Sequence, residues 1–242
     1  MDFTAFKHSI FNLQSPFEFN EIALSLFRYQ YRNNKIYNRF VDALGVTESQ
    51  VYMVEKILQQ SNRRMGGFYL NELAKLQQEL LEAQRLGLKI MLFGVTYALL
   101  DMAENFPVTI PGAILIETGG MKGRREEITR MELHEKLTKG FGVEKIHSEY
   151  GMTELLSQAW SAGDGIFRCP PWMKIMIADT NDPLSYLEPG RSGGINIIDL
   201  ANVHSCSFLA TQDLGRVFED GTFEVLGRFD NSDIRGCSLL VT

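Results

Sequence analysis

Tyr150-Gly151-Met152-Thr153-Glu154 sets an aromatic ring, a glycine, a hydroxyl and a carboxylate within five residues. Each type suits one part of a planar, phosphorylated ligand. A ring at a strand end can stack on a flat base, a helix N-terminus can receive a phosphate, and a carboxylate can hold a divalent cation. The same residues also suit a purely structural role: Thr153 precedes the apolar run "LLSQAW" and can cap the orphan N–H groups of a helix. A bulky ring beside Gly151 adds nothing to such a cap, so both readings stand.

Other stretches carry comparable groups. In "ETGGMKGRREE", Gly119 and Gly120 let the backbone come close to a ligand, and Lys122, Arg124 and Arg125 bring cations to an expected helix start. There they oppose the helix macrodipole unless an anion is present, whereas Glu126 and Glu127 complement it; a solvated charged turn is the alternative. "ATQDLG" puts Asp213 near a strand end, where a carboxylate can accept from vicinal hydroxyls, although Asp before Gly is also ordinary turn chemistry. "GRFDNSDIRGCSLL" groups Gly227, Arg228, Asp230, Asn231, Asp233, Arg235 and Gly236 at a strand exit that also reads as a surface hairpin end. His204 and Cys206, two apart on an expected strand, share a face, and Cys169 could complete a metal site. No C-x-x-C spacing supports that site, the four histidines are dispersed, and no Gly-x-Ser-x-Gly elbow offers a serine nucleophile.

The elements that must position these groups follow from periodicity. Apolar residues over 20–44 recur at mostly helical spacing, interrupted near Asn33 and Asn34, and predict a helical N-terminal cap. "NELAKLQQELLEAQR" predicts a second helix, with Gly87 just past its end to take the left-handed position. Beyond it, "LKIMLFGV", "GAILIETGG" and "VEKIHSEYG" are strand-like runs that alternate with the helical "YALLDMAENF", "REEITRMELHEKLTKGFG" and "TELLSQAW". That alternation predicts a parallel sheet covered on both faces, with ligands beyond the carboxyl ends of its strands. After Trp160, "WMKIMIAD", "GGINIIDL" and "CSFLATQDLGRVFEDGTFEVLGRFD" read as strands, and the Asp-Gly in "EDGT" closes a hairpin. Three segments result: a helical cap over 1–50, an α/β subdomain over 51–160, and a β-rich subdomain over 161–242.

Composition narrows the class of protein. Net charge is −6, from 24 basic and 30 acidic residues, so no general basic field is present to attract nucleic acid. No window approaches the ~20 apolar residues of a membrane span, and the N-terminus lacks a basic region followed by an unbroken apolar core. The chain is therefore read as cytoplasmic, and its three widely spaced cysteines as reduced thiols.

Taken in order, the motifs resemble those of the adenylate-forming superfamily of acyl and aryl acid ligases. The likeness is nearest to the acyl-protein synthetase branch of bacterial luminescence systems and to phenylacetate–CoA ligase-like proteins. "ETGGMKG" looks like the loop on which adenine packs, and "EYGMTE" is similar to an aromatic-Gly-x-Thr-Glu signature. "EPGRSGGINIIDL" looks like a Gly-x-x-Gly strand entry, "TQDLG" like a ribose-binding Asp segment, and "GRFDNSDIRG" like a Gly-Arg-x-Asp hinge. The match runs over 51–240. It implies an α/β fold of the adenylate-forming N-terminal-domain type with a β-rich C-terminal subdomain, using ATP and Mg²⁺.

Residue roles follow from the same resemblance. Gly119, Gly120, Tyr150 and Gly151 would line the nucleotide, with Tyr150 stacked on adenine. Thr153 would contact phosphate, Glu154 would hold Mg²⁺, Asp213 would bind the ribose hydroxyls, and Arg228 would lie near them. A carboxylic acid, fatty or aryl, would be activated to acyl-AMP and passed to a thiol. Cys237 is the candidate acceptor near the C-terminus, with CoA, an acyl carrier or an acyl-accepting protein as alternatives and a buried strand-end cysteine as its structural reading.

Two departures from the family pattern bear on this. A Ser/Thr/Gly-rich phosphate loop is expected before "VYMVEKILQQ", yet "DALGVTESQVYMVEK" runs directly into it. The gene is shortened or segments are joined at "GVTESQ"; in a chain continuous over 45–51, ATP affinity and catalysis are expected to suffer. The sequence also stops after the hinge motif, before a full lid domain with its lysine, as in short members of the acyl-protein synthetase branch. The competing class is a non-catalytic nucleotide- or acyl-binding paralogue.

Overall fold

The computed structural model describes residues 3–33, 57–59, 65–69, 72–121, 124–126, 128–182 and 184–229. In chain order the main elements are α1 (Phe3–Phe11), α2 (Pro16–Asn33), α3 (Leu73–Arg85), β1 (Met91–Val95), α4 (Thr96–Asn105), β2 (Ile114–Thr118), α5 (Arg130–Phe141), β3 (His147–Tyr150) and β4 (Ala159–Ser161). They continue with β5 (Ile166–Arg168), β6 (Met173–Ala178), β7 (Ser192–Asp199), β8 (Phe208–Val217) and β9 (Phe223–Arg228). The architecture is mixed α/β, as expected. Two compact units divide the described residues: an α/β unit drawn from those within 57–150 and 161–165, and a β-rich unit drawn from those within 3–33, 151–160 and 166–229.

In the α/β unit, β1 pairs with β2 and β2 with β3, all parallel. Leu115, Ile116, Glu117 and Thr118 of β2 are all buried, which a strand shows only when both sheet faces are covered. Helix α5 presents Leu133, Leu137 and Phe141 inward at a spacing of four, one side of a helix. These join Leu99, Leu100 and Met102 of α4 and Leu92 and Leu115 of the sheet in one core. Each fully buried side chain of this size stabilises the unit by roughly 1.5–3 kcal/mol. The two helices approach closely, since a Cβ on Gly140 would sit 2.6 Å from Ala103 Cβ. Helix α5 starts at Arg130, capped by Thr129 Oγ1 accepting from the Glu132 amide at 3.2 Å, and ends at Gly142 in the left-handed region.

The β-rich unit is antiparallel, with β6 paired to β7, β7 to β8, β8 to β9 and β9 to β5. The short β5 escaped the sequence reading, because three residues carry too little alternation to register. Glycine at 193 is dictated by the sheet: a Cβ there would lie 2.2 Å from the Ala178 carbonyl oxygen. The β8–β9 turn closes as the Asp-Gly pair implied, with Gly221 at φ 77° and the Asp220 carboxylate accepting from the Thr222 amide at 3.0 Å. Phe6 and Ile10 of α1, Leu13 of the link, and Phe19 and Leu26 of α2 share one core with Leu200 and Val203. Among the described residues no helix is long and apolar enough to cross a membrane.

Candidate functional site

The parallel register decides the first group. Thr118 of β2 lies opposite Glu149 of β3, so Gly119 and Gly120 leave the sheet at the edge where Tyr150 ends its strand. Both glycines have positive φ, 78° and 97°, and a Cβ on Gly120 would meet nothing within 4 Å. The loop therefore turns by using backbone freedom and leaves open space beside it. Two buried hydroxyls hold this edge. Thr96 donates to Glu117 Oε2 at 2.8 Å and to the Thr118 carbonyl at 3.2 Å, and accepts from the Gly120 amide at 3.5 Å. Thr118 donates in turn to the Glu149 carboxylate.

Glu117 is a buried carboxylate in the same place. Burial works to raise its pKa, but the polar neighbours His134, Ser148 and Thr96, with the Arg130 charge, outweigh it and hold the carboxyl below its ordinary value. His134 Nε2 lies 3.9 Å from Glu117 Oε1 and 3.5 Å from Ser148 Oγ. Neither Thr96 nor Glu117 stood out in the sequence. The one available signal was a carboxylate ending the apolar run "AILIE".

The basic residues of the glycine loop are engaged differently from the expectation. Helix α5 begins well after them, so Arg124 and Arg125 do not sit at a helix start and call for no anion there. Arg125 instead bridges Asp101 and Glu104 of α4, each at 2.6 Å, and Arg124 lies over the Tyr97 ring at 4.9 Å. Lys122 and Glu127 lie outside the described residues, and Glu126 precedes the helix.

A second correction concerns Thr153 and Glu154. No helix follows them; they occupy a turn, and the chain runs on extended into β4. Burial alternates from Leu155 through Ser157, Ala159 and Ser161, the period of a strand. The inward residues include two serines and an alanine, too small and polar for the alternation to outcompete the helical look of "TELLSQAW". Thr153 thus caps no helix, and no helix dipole is available there for a phosphate. The amides of Leu156 and Ser157 go instead to Asp199 at 3.1 and 2.9 Å. Asn202 donates to the Glu154 carbonyl at 2.7 Å, while the Glu154 side chain is exposed.

Asp213 and Arg228 form the third group. They are direct cross-strand partners, with Arg228 Nε 3.3 Å from Asp213 Oδ1, beside the bulge at Leu214 and Gly215. Bulges re-aim side chains at a sheet, and here one adjoins the carboxylate that the sequence singled out. Gly227 lies next to it at φ 154°.

The cysteines divide by environment. Burial first, then the Asp199 charge, pushes the Cys169 thiol up to about 12. It is a poor nucleophile at neutral pH. Cys206 Sγ lies 3.1 Å from the Phe208 carbonyl oxygen and donates to it. His204 and Cys206 sit in the turns before β8 and not on a strand, so the shared-face argument for a metal site fails. Among the described residues no three His, Cys, Asp or Glu side chains gather into a metal-binding group. Cys237, Asp230, Asn231, Asp233, Arg235, Gly236 and the junction at 45–51 lie outside the described residues.

No family model and no curated protein match this chain. Among solved structures it is similar to ATP-bound MatB from Rhodopseudomonas palustris, at 18% identity and TM-score 0.47, over 65% of this chain and 33% of that one. It is also similar to the luciferase-like enzyme of the nonluminescent Zophobas morio mealworm, at 16% identity and TM-score 0.44, over 63% and 41%. A benzoate CoA ligase from Burkholderia xenovorans LB400 matches at 18% identity and TM-score 0.40, over 57% and 31%. The chain thus spans between about a third and two fifths of the length of these structures.

Proposed function

We propose that this chain belongs to an adenylate-forming ligase that activates a carboxylic acid with ATP and delivers the acyl group to a thiol. The observation that carries the proposal is the parallel register of β2 and β3. It sets Gly119, Gly120 and Tyr150 at one carboxyl edge of a parallel sheet, where such sheets bind ligands. In this reading Tyr150 stacks on adenine, the open glycine loop admits the base closely, and Gly151 gives the chain room to turn away. Asp213, steadied by Arg228, accepts from the ribose hydroxyls, a task suited to a carboxylate held in place by one cation.

The donor set at Glu154 also suits the metal this chemistry uses. Mg²⁺ is commonly held by one or two carboxylates together with substrate phosphates, and an exposed single carboxylate in a turn fits that arrangement. Glu154 would hold the ion, and Thr153 would donate to a phosphate oxygen. When bound, the ion supplies positive charge to the phosphates as negative charge builds there.

The reaction has two displacements. A carboxylate oxygen of the acid bonds to the α-phosphorus, and the bond to the bridging oxygen breaks to release pyrophosphate. A thiolate then bonds to the acyl carbon, and AMP leaves with the electron pair. Cys169 is too strongly protonated to serve as that thiolate. The acyl-protein synthetase reading assigns the role to Cys237, with an acyl carrier or another accepting protein as the alternative. The test is acid-dependent exchange of labelled pyrophosphate into ATP across fatty and aryl acids. Nucleotide binding without exchange would instead favour the non-catalytic paralogue.

A further inference from the structure

The turn that carries Glu154 is short and lacks a helix, yet it is held by an extensive buried network. Asp199 ends β7 and is fully buried. Its Oδ2 accepts from the Leu156 and Ser157 amides at 3.1 and 2.9 Å. Its Oδ1 accepts from Ser157 Oγ at 2.7 Å and from the Ala201 amide at 3.0 Å. Four donors use the acceptor capacity of one carboxylate. Trp172 Nε1 donates to the same Ser157 hydroxyl at 2.9 Å. Asn202, 1% exposed, donates to the Glu154 carbonyl at 2.7 Å and to the Cys206 carbonyl at 3.2 Å, and accepts from the Leu156 amide at 3.2 Å. The Asn202 carbonyl accepts in turn from Ser207 Oγ at 3.0 Å.

Burying a charge is costly unless its hydrogen bonds are met, and bonds to an ionised acceptor are roughly twice as strong as neutral ones. A turn that only linked two strands would not require a buried carboxylate from more than forty residues away. Next to Glu154 the network fixes the backbone on the C-terminal side of its exposed side chain, through the Glu154 carbonyl and the amides of Leu156 and Ser157, and the Leu155 amide closes the turn on the Met152 carbonyl at 3.0 Å. Leu155 itself is buried, 3% exposed, so the turn is anchored from below while its carboxylate points outward.

We infer that Asp199 and Asn202 are positioning residues that set the Glu154 carboxylate for the cation and phosphates of the nucleotide. The inference rests on the adenylate-forming reading. A carboxylate displaced by even an ångström loses much of its effect on a reacting centre, whereas the base and ribose contacts are made elsewhere and stay intact. The expected signature is therefore a split between kinetic parameters, not a uniform loss.

The experiment compares the unaltered full-length protein with Asp199→Asn and Asn202→Ala in acid-dependent pyrophosphate exchange, as Mg²⁺ and ATP are varied separately. In each variant kcat should fall by about tenfold or more, and the Mg²⁺ concentration for half-maximal rate should rise by about tenfold. KM for ATP should change by less than about threefold. Amide hydrogen exchange at Leu156 and Ser157 should quicken in Asp199→Asn. An active unaltered protein with folded variants of unchanged Mg²⁺ dependence overturns the inference and leaves the ligase reading standing. A uniform loss of kcat at constant Mg²⁺ dependence also overturns it, since a smaller folded fraction does that. If Asp199→Asn does not fold, Asn202→Ala decides by the same criteria, because it keeps the buried carboxylate and frees the Glu154 carbonyl. Absence of exchange in the unaltered protein overturns the ligase reading and this inference together.

Discussion

Glu154 is exposed, while Glu117, in the other unit, is buried under four hydrogen-bonding or charged neighbours, and the two carboxylates should behave oppositely on substitution. Glu154→Gln keeps size and removes charge, so the unfolding midpoint should stay within a degree or two. Mg²⁺-dependent adenylation should fall by roughly a hundredfold, and unchanged turnover would refute the metal role. Glu117 instead bears on stability. Its folded-state pKa lies below its unfolded value, so its contribution is present above the unfolded value of about 4.3 and is lost as pH falls through the folded one. Glu117→Gln should therefore flatten the loss of stability on acidification below about pH 4, read from denaturant midpoints across pH. A variant as acid-sensitive as the parent would contradict this. Asp199 has the other sign: burial, against its hydrogen bonds, raises its pKa, so its ionisation opposes folding as pH rises through the folded value. The chemical types at 150, 154 and 213 were legible in the sequence because they sit in short local motifs. Asp199 was not, because its partners at 156 and 157 lie more than forty residues away and no local pattern encodes that contact.

At the scale of elements, local chemistry was readable wherever the period was long enough. The runs around β1, β2, β3 and the hairpin β8–β9 carry enough apolar residues or turn glycines to declare themselves, and they form as expected. "TELLSQAW" misled because Leu155 and Leu156 follow a residue type that caps helices well, while the alternation that wins includes Ser157, whose hydroxyl is satisfied by the distant Asp199. Thr129, two residues beyond the charged run, is the cap that does operate. Thr129→Ala should cost about 1 kcal/mol of stability by denaturant titration, while Thr153→Ala, which ends no helix, should cost clearly less. Equal losses at the two positions would contradict the assignment of the helix start.

For the whole molecule, the order of motifs along the chain carries more than any single one. The α/β unit holds Gly119, Gly120 and Tyr150, and the β-rich unit holds Thr153, Glu154, Asp213 and Arg228. Sequence alone supports that order because each motif is local. It could not supply the parallel register that aligns two strand ends, nor the anchoring of the Glu154 turn, since both arise from pairing between distant segments. The central proposal is acid activation by ATP. The most direct test is exchange of labelled pyrophosphate into ATP by the full-length protein with a panel of fatty and aryl acids. The account predicts exchange that requires both a carboxylic acid and Mg²⁺. Folded protein that gives no exchange above background with any acid on the panel would contradict it.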